Sequence, residues 1–244
     1  MRLIKRLEIN GEQTNLISDS LIRNLLAPGV AVLVVESDTP PEPGQLVRYS
    51  LGWELETVWV WFLGYVHSVI RTNQKIHRVE ARELTAPLAS RLPLALRHCN
   101  INDVLNQLAS KTGLKFTLGN GNWKINLIPF FYHTGTGYHA ISLLGDLFQI
   151  PCYVWQQQSD GNVYVGESSG LPNAEALVPV PVRNLTEFTT GNRATVPTVP
   201  RFRPGLKIQI GDAEPAIITR IEQREMVMRI SWSVDPWDRS RRYC

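Results

Sequence analysis

Residues 101–113, INDVLNQLASKTG, and residues 137–148, GYHAISLLGDLF, decide how this chain is read. In the first, Ile101, Val104, Leu105, Leu108 and Ala109 fall on one helical face, and in the second Ala140, Ile141, Leu144, Leu147 and Phe148 do the same. Asn100 stands where an N-cap belongs, Asp103 is acidic near the positive end of the helix, and Gly113 follows the last periodic turn as a C′ residue should. The second helix is expected at about 138–149. Each helix leads into a strand, Leu114–Leu118 after the first and Cys152–Gln156 after the second. The Asp160-Gly161 pair then turns the chain back into a hairpin with NVYVGE at 162–167. Residues 95–166 thus read as a compact αβ module, and almost everything around them reads as β.

Working outward toward the N-terminus, Ile76–Arg82 alternates apolar and polar residues and is preceded by a hairpin loop at 71–75. The segment TVWVWFLGYVHSV at 57–69 sets Val58, Val60 and Phe62 against Trp59, Trp61 and Leu63, so both faces of that strand carry bulky side chains. Gly64 in its middle marks a bulge or a close backbone approach. Strands are also expected at 2–10, at 46–51 and over the β-branched run at 30–35, whereas residues 16–26 show no clear period. Pro87 and Pro93 break the stretch 84–98 into a connector, and Trp123–Ile128 reads as a short strand. Beyond the module, strands are expected at 178–182, 185–189, 206–210, 216–223 and 227–233. Residues 190–204, TGNRATVPTVPRFRP, read as a loop or extended arm, and residues 235–244 as a polar, basic tail.

The composition narrows the function by exclusion. Of the 244 residues 43% are hydrophobic and only 19% charged, below the usual ~25%, which suits a surface hidden in an assembly. A formal charge of +3, with basic residues scattered except for the closing arginines, is not the footprint of a nucleic-acid binder. No run of 18 apolar residues suggests a membrane span, and the opening MRLIKRLEINGE turns polar too soon for a signal peptide, so folding is expected in a cytoplasm. Cys99, Cys152 and Cys244 have neither disulfide nor zinc spacing. The first two read as small buried hydrophobes and the last as a free thiol. His133 and His139 are six residues apart and do not share a helical face, so no metal site is expected from them. Gly135 and Gly137 precede a helix without the lysine of a phosphate loop. No nucleophile elbow and no paired carboxylates are present, so no catalytic residue and no cofactor are assigned.

The seven tryptophans admit two readings. Trp59 and Trp61, on one face of a strand, have the geometry of a stacking platform for a carbohydrate or cell-wall ligand. They equally suit a protein interface, where aromatic residues are enriched, and that strand lacks the cations that would grip phosphate. The candidate interface comprises Trp59, Trp61 and Phe62, together with Trp237, Arg239, Arg241 and Arg242 of the tail, whose guanidiniums suit carboxylate pairing. Simple terminal disorder is the other reading of that tail.

The order FLGYVHSVI, then HRVEARELTAPLASRL, then NINDVLNQLASKTGLKF, then YHAISLLGDLFQIPCYVWQQQSDGNVYVGE resembles the baseplate and tail-tip hub proteins of tailed bacteriophages, the late-control D-like family, over roughly residues 30–230. The resemblance implies an α+β, mainly β fold with two β-barrel-like, tube-type domains and an inserted αβ module. The corresponding divisions are 1–90 for the first β domain, 91–168 for the insert, 169–234 for the second β domain with its arm at 190–204, and 235–244 for the tail. It implies a structural, non-enzymatic role in the virion after assembly in the host cytoplasm. Three copies would form a pseudo-sixfold ring that joins the tail tube, or a distal tail protein, to a central spike or tail-tip protein, with a tape measure protein as a further partner. No membrane and no specific nucleic acid enter this scheme. The chain is short for the hub of a contractile tail. It also lacks the C-terminal cysteine cluster that holds an iron–sulfur centre in some tail-tip relatives, having only Cys244 there.

Overall fold

Alternating apolar residues build much of this chain into strands, and the computed structural model describes residues 2–53, 57–172, 174–189 and 191–237. In chain order the elements are β1 (Leu3–Ile9), β2 (Glu12–Gln13), β3 (Asn15–Asn24), β4 (Val30–Glu36), β5 (Leu46–Trp53), β6 (Trp59–Arg71) and β7 (Ile76–Glu83). There follow β8 (Leu94–Cys99), α1 (Ile101–Thr112), β9 (Phe116–Leu118), β10 (Ile128–His133), α2 (Gly137–Leu147), β11 (Tyr153–Gln157) and β12 (Val163–Glu167). The last six are β13 (Leu177–Val180), β14 (Thr186–Thr189), β15 (Arg193–Pro197), β16 (Lys207–Ile210), β17 (Ala216–Arg224) and β18 (Val227–Ser233). Two compact units result: a β unit of Met1–Glu83 with Glu175–Cys244, and an αβ unit of Leu84–Ala174, so the insert begins and ends some residues outside 91–168. The fold is α+β and mainly β.

In the β unit both flanking segments enter one 13-stranded sheet, whose path β14-β15-β18-β17-β3-β4-β7-β6-β5-β1-β2 is open, with β13 and β16 branching from β17. The two segments meet where β17 runs antiparallel to β3, from Arg220 opposite Asn24 to Arg224 opposite Ser20. Inside lies one continuous core that includes Leu21, Leu33, Tyr49, Phe62 and Val79 from the first segment and Phe202, Ile208, Ile221 and Ile230 from the second. Gly64 is required by a close approach, since a Cβ there would lie 2.1 Å from the Arg82 carbonyl oxygen.

Two readings of this unit are corrected. Residues 191–204 are not simply a loop or extended arm: Arg193–Pro197 pairs with both β14 and β18 and buries Ala194 and Val196, and Phe202 is also core. Proline and threonine obscured the strand because Pro197 falls at its last position, where little pairing is lost. The aperiodic stretch 16–26 is mostly β3, whose polar Asp19 and Arg23 are buried against partners distant in sequence.

The αβ unit follows from its caps. Asn100 accepts from the Asp103 backbone N–H at 3.1 Å while Asp103 accepts from the Asn100 N–H at 2.9 Å, a complete capping box, and Gly113 closes α1 at φ +74°. At α2, Thr136 accepts from the His139 N–H at 3.3 Å. The apolar faces hold Ile101, Val104, Leu108, Ala140, Ile141 and Leu144 in the unit's core. Antiparallel β11 and β12 form a hairpin, and β9 runs parallel to β12. Residues 123–127 are not a strand. Residues 122–125 make a 3-10 turn that buries Trp123, whose indole N–H donates to Glu167 at 2.9 Å, and the strand starts at Ile128. Cys99 is buried, but Cys152 is exposed in the turn before β11 at φ +43°.

Candidate functional site

The aromatic strand that supplied the sequence candidates is bulged where it matters. Tyr49 faces Phe62 and Ser50 faces Val60, so Trp61 is the extra residue of β6. The bulge breaks the alternation that would place Trp59 and Trp61 on one face. Trp59 is 41% exposed while Trp61 and Phe62 are each 1% exposed and belong to the core. Trp61 and Phe62 therefore offer no surface in this chain, and no two-tryptophan platform forms on this strand. Trp123 and Trp155 are buried as well, which leaves Trp59 as the exposed indole among the described residues. Its ring carries the Arg201 guanidinium at 5.5 Å. Trp237 is half-buried and its backbone N–H donates to Asp235 at 2.9 Å, whereas Arg239, Arg241, Arg242 and Cys244 lie outside the described residues.

Around Trp61 the structure assembles charges that the sequence scatters. Arg23 of β3 and Arg203 of the loop before β16 both lie over its ring, at 5.8 and 5.5 Å from the centroid. Arg23 donates to the Trp61 carbonyl at 3.0 Å and pairs with the buried Glu83 of β7 at 3.3 Å. Glu83 accepts a further hydrogen bond of 2.6 Å from the Gly29 N–H. Arg203 donates to the carbonyls of Pro200 and Phe202 at 2.8 Å and of Val60 at 3.0 Å. Burial of its guanidinium, and then the neighbouring Arg23 cation, pull Arg203 well below the usual arginine range. Burial pushes the Glu83 carboxyl up, against the pull of Arg23 and the Gly29 N–H. The Trp61 indole N–H is buried without a hydrogen-bond partner among the described residues. Desolvated contacts of a cation with an indole contribute up to ~2 kcal/mol each, so this cluster clamps β3, β6 and β7 to the C-terminal segment.

A groove of about 450 Å³ opens between β1 and β3, lined in part by Lys5, Arg6, Gln13, Asn15, Ile17 and Asp19. Asp19 is the one carboxylate in its lining, and it is already bound by the Lys5 ammonium and, at 2.8 Å, by the Tyr49 hydroxyl. Burial, and then Asp19, push the Tyr49 phenol upward, so it stays a hydrogen-bond donor. The groove lining thus presents no pair of acid and base. In the αβ unit the ring centroids of His133 and His139, six residues apart, lie 5.2 Å from each other, and the His133 Nε2 lies 2.9 Å from the Thr136 carbonyl oxygen. Among the described residues no group of three metal-ligating side chains gathers there or elsewhere.

Known proteins share this architecture. No protein-family profile matches the chain. An uncharacterised 58.7 kDa protein of Haemophilus phage HP1 is 25% identical over 205 residues, which is 84% of this chain and 38% of that protein, so the chain spans well under half of this relative. The 43 kDa tail protein of prophage MuSo2 from Shewanella oneidensis superposes with a TM-score of 0.72, covering 96% of this chain and 98% of that one at 13% identity. An Escherichia coli type VI secretion component, described as structurally similar to the bacteriophage T4 tail proteins gp27 and gp5, gives a TM-score of 0.63 over 93% of this chain and 76% of that one at 12% identity. The chain has the fold of phage tail proteins, and the resemblance read from its sequence is met at that level.

Proposed function

We propose that this chain is a structural subunit at the tip of a phage tail: a baseplate hub in which three copies close into a pseudo-sixfold ring between the tail tube and a central spike. One observation carries the reading: two flanking segments joined in one sheet around an inserted αβ unit, an arrangement matched over 96% of the chain by a prophage tail protein. The ring suits the physical chemistry of the sheet. Its path ends in β14 and β2, and closed symmetric assembly is one way to cover such edges. The low charge fraction of 19% fits a chain with much of its surface in contacts. In this scheme the chain has no catalytic role. Trp59 and the segment from Trp237 through Arg239, Arg241 and Arg242 contact neighbouring tail proteins, while Trp61 and Phe62 act from inside by fixing the strand that presents Trp59.

The test is the mass of the protein in solution by light scattering on a sizing column. A particle three times 27.6 kDa supports the ring. A stable monomer at high concentration that also fails to assemble with co-expressed tail-tube and spike proteins refutes it.

A further inference from the structure

The four most exposed large hydrophobic side chains among the described residues lie within eight positions of one another in the αβ unit: Ile125 at 82%, Tyr132 at 74%, Phe130 at 70% and Leu127 at 66%. Their placement follows from the strand period. On β10, Phe131 and His133 turn inward and are buried, which sends Phe130 and Tyr132 outward. Opposite them on β8 stand Arg97, facing Phe130, and Ala95, facing Tyr132, both exposed. The β8/β10 ribbon is a separate two-stranded sheet, and no third strand pairs with either of its edges among the described residues. Together the four side chains expose roughly 500 Å² of apolar surface, at the size where a patch marks a binding face.

The charge around the patch selects the occupant. Residues 91–133 contain five Lys and Arg and the carboxylate of Asp103, which is committed to the N-cap of α1, while Glu167, which the fold brings to this stretch, accepts from the Trp123 indole N–H at 2.9 Å. Arg97 has no ion-pair partner among the described residues. A second copy docked here face to face by twofold symmetry would set Arg97 of one copy against Arg97 of the other, and a copy meeting the patch head to tail is an outcome the experiment below distinguishes. Ile125 and Leu127 are aliphatic and give a nucleobase nothing to stack on, which disfavours a single strand of nucleic acid. The geometry points to a docking face for another protein: a segment that lays apolar side chains on Phe130, Tyr132, Ile125 and Leu127 and offers a carboxylate to Arg97. This face is independent of the hub reading, because it stands on the αβ unit alone.

The experiment uses the full chain and a fluorescein-labelled peptide of alternating leucine and glutamate, followed by anisotropy. A leucine–lysine peptide and an oligo-dT strand serve as competing probes. The acidic peptide is expected to bind, and to bind the Phe130→Ser/Tyr132→Ser double variant about tenfold more weakly or worse, as loss of aromatic anchors does. Arg97→Glu, a change at an exposed position, is expected to weaken the acidic peptide and to reverse the preference toward the basic one. Four results overturn the proposal: no peptide binds, both peptides bind alike, oligo-dT binds in their place, or the double variant lowers the mass of a self-assembled particle, which would make a copy of this chain the occupant.

Discussion

Replacing Glu83 by alanine tests whether the charge cluster around Trp61 holds the β unit together. The substitution removes the carboxylate beside Arg23 and the acceptor of the Gly29 N–H, while two guanidiniums remain over one indole ring. Breaking a buried pair from one side costs ~3–5 kcal/mol, and an orphaned buried N–H alone costs ~1–3 kcal/mol. These overlap, so about 4 kcal/mol is expected, or roughly a thousandfold in the folding constant. At ~2 kcal/mol per molar urea, the midpoint of the β-unit transition should fall by about 2 M. Urea titrations of wild type, Glu83→Ala and the double variant Arg23→Met/Glu83→Leu provide the assay. The double variant should recover much of the loss, because a buried pair exchanged for apolar residues of similar volume is often nearly neutral. A midpoint shift under ~0.5 M for Glu83→Ala, or a double variant less stable than the single one, would refute the reasoning. The pH dependence has a defined sign. Burial raises the Glu83 pKa above its unfolded value, so the native state holds that proton more tightly. Its contribution is complete below the unfolded pKa and is lost as pH rises through the folded one. Glu83→Gln should abolish that part of the slope.

Three further substitutions probe local packing, backbone strain and capping. Gly64→Ala should destabilise the β unit by ~1–3 kcal/mol, because its Cβ meets the backbone of Arg82, whereas Gly11→Ala, with open space around it at φ +84°, should cost only about 1 kcal/mol of backbone strain; paired thermal melts that rank them the other way would contradict the packing. Asn100→Ala removes the capping box of α1 and should cost ~1 kcal/mol, read as faster amide exchange in the first turn of α1 with β3 unaffected.

Elements whose stabilising partners are local were legible in the sequence. Asn100, Asp103 and Gly113 bracket α1 because caps act within a few residues, and Gly64 showed its close approach by interrupting an apolar run. Elements governed by distant partners were not. Asp19 and Arg23 leave residues 16–26 without a clear period until Lys5, Tyr49 and Glu83 are brought to them. The bulge at Trp61 leaves no mark in the residue types, so the pattern assigned Trp59 and Trp61 to one face. Arg23, Glu83 and Arg203 were missed for the same reason, since isolated charges read as solvated and nothing in their spacing announces a shared indole. The outward pair Phe130 and Tyr132 is obscured because the residue pattern sets a strand at Trp123–Ile128, ahead of β10, which begins at Ile128.

The pairing of β3 with β17 also sets a schedule for synthesis. Asn24 and Arg220, hydrogen-bonded across the seam, are separated by 196 positions, and the whole αβ unit is translated between them. At ~5–20 residues per second the ribosome needs about 10–40 s to deliver that partner. For that interval the nascent chain carries an unfinished strand edge from Ser20 to Asn24, open to any other strand in the cell. Ser20, Arg23 and Asn24 are polar, a composition that discourages promiscuous pairing while the edge waits. Arg23, one of the residues that make β3 hard to recognise, would then also be part of its safeguard during synthesis.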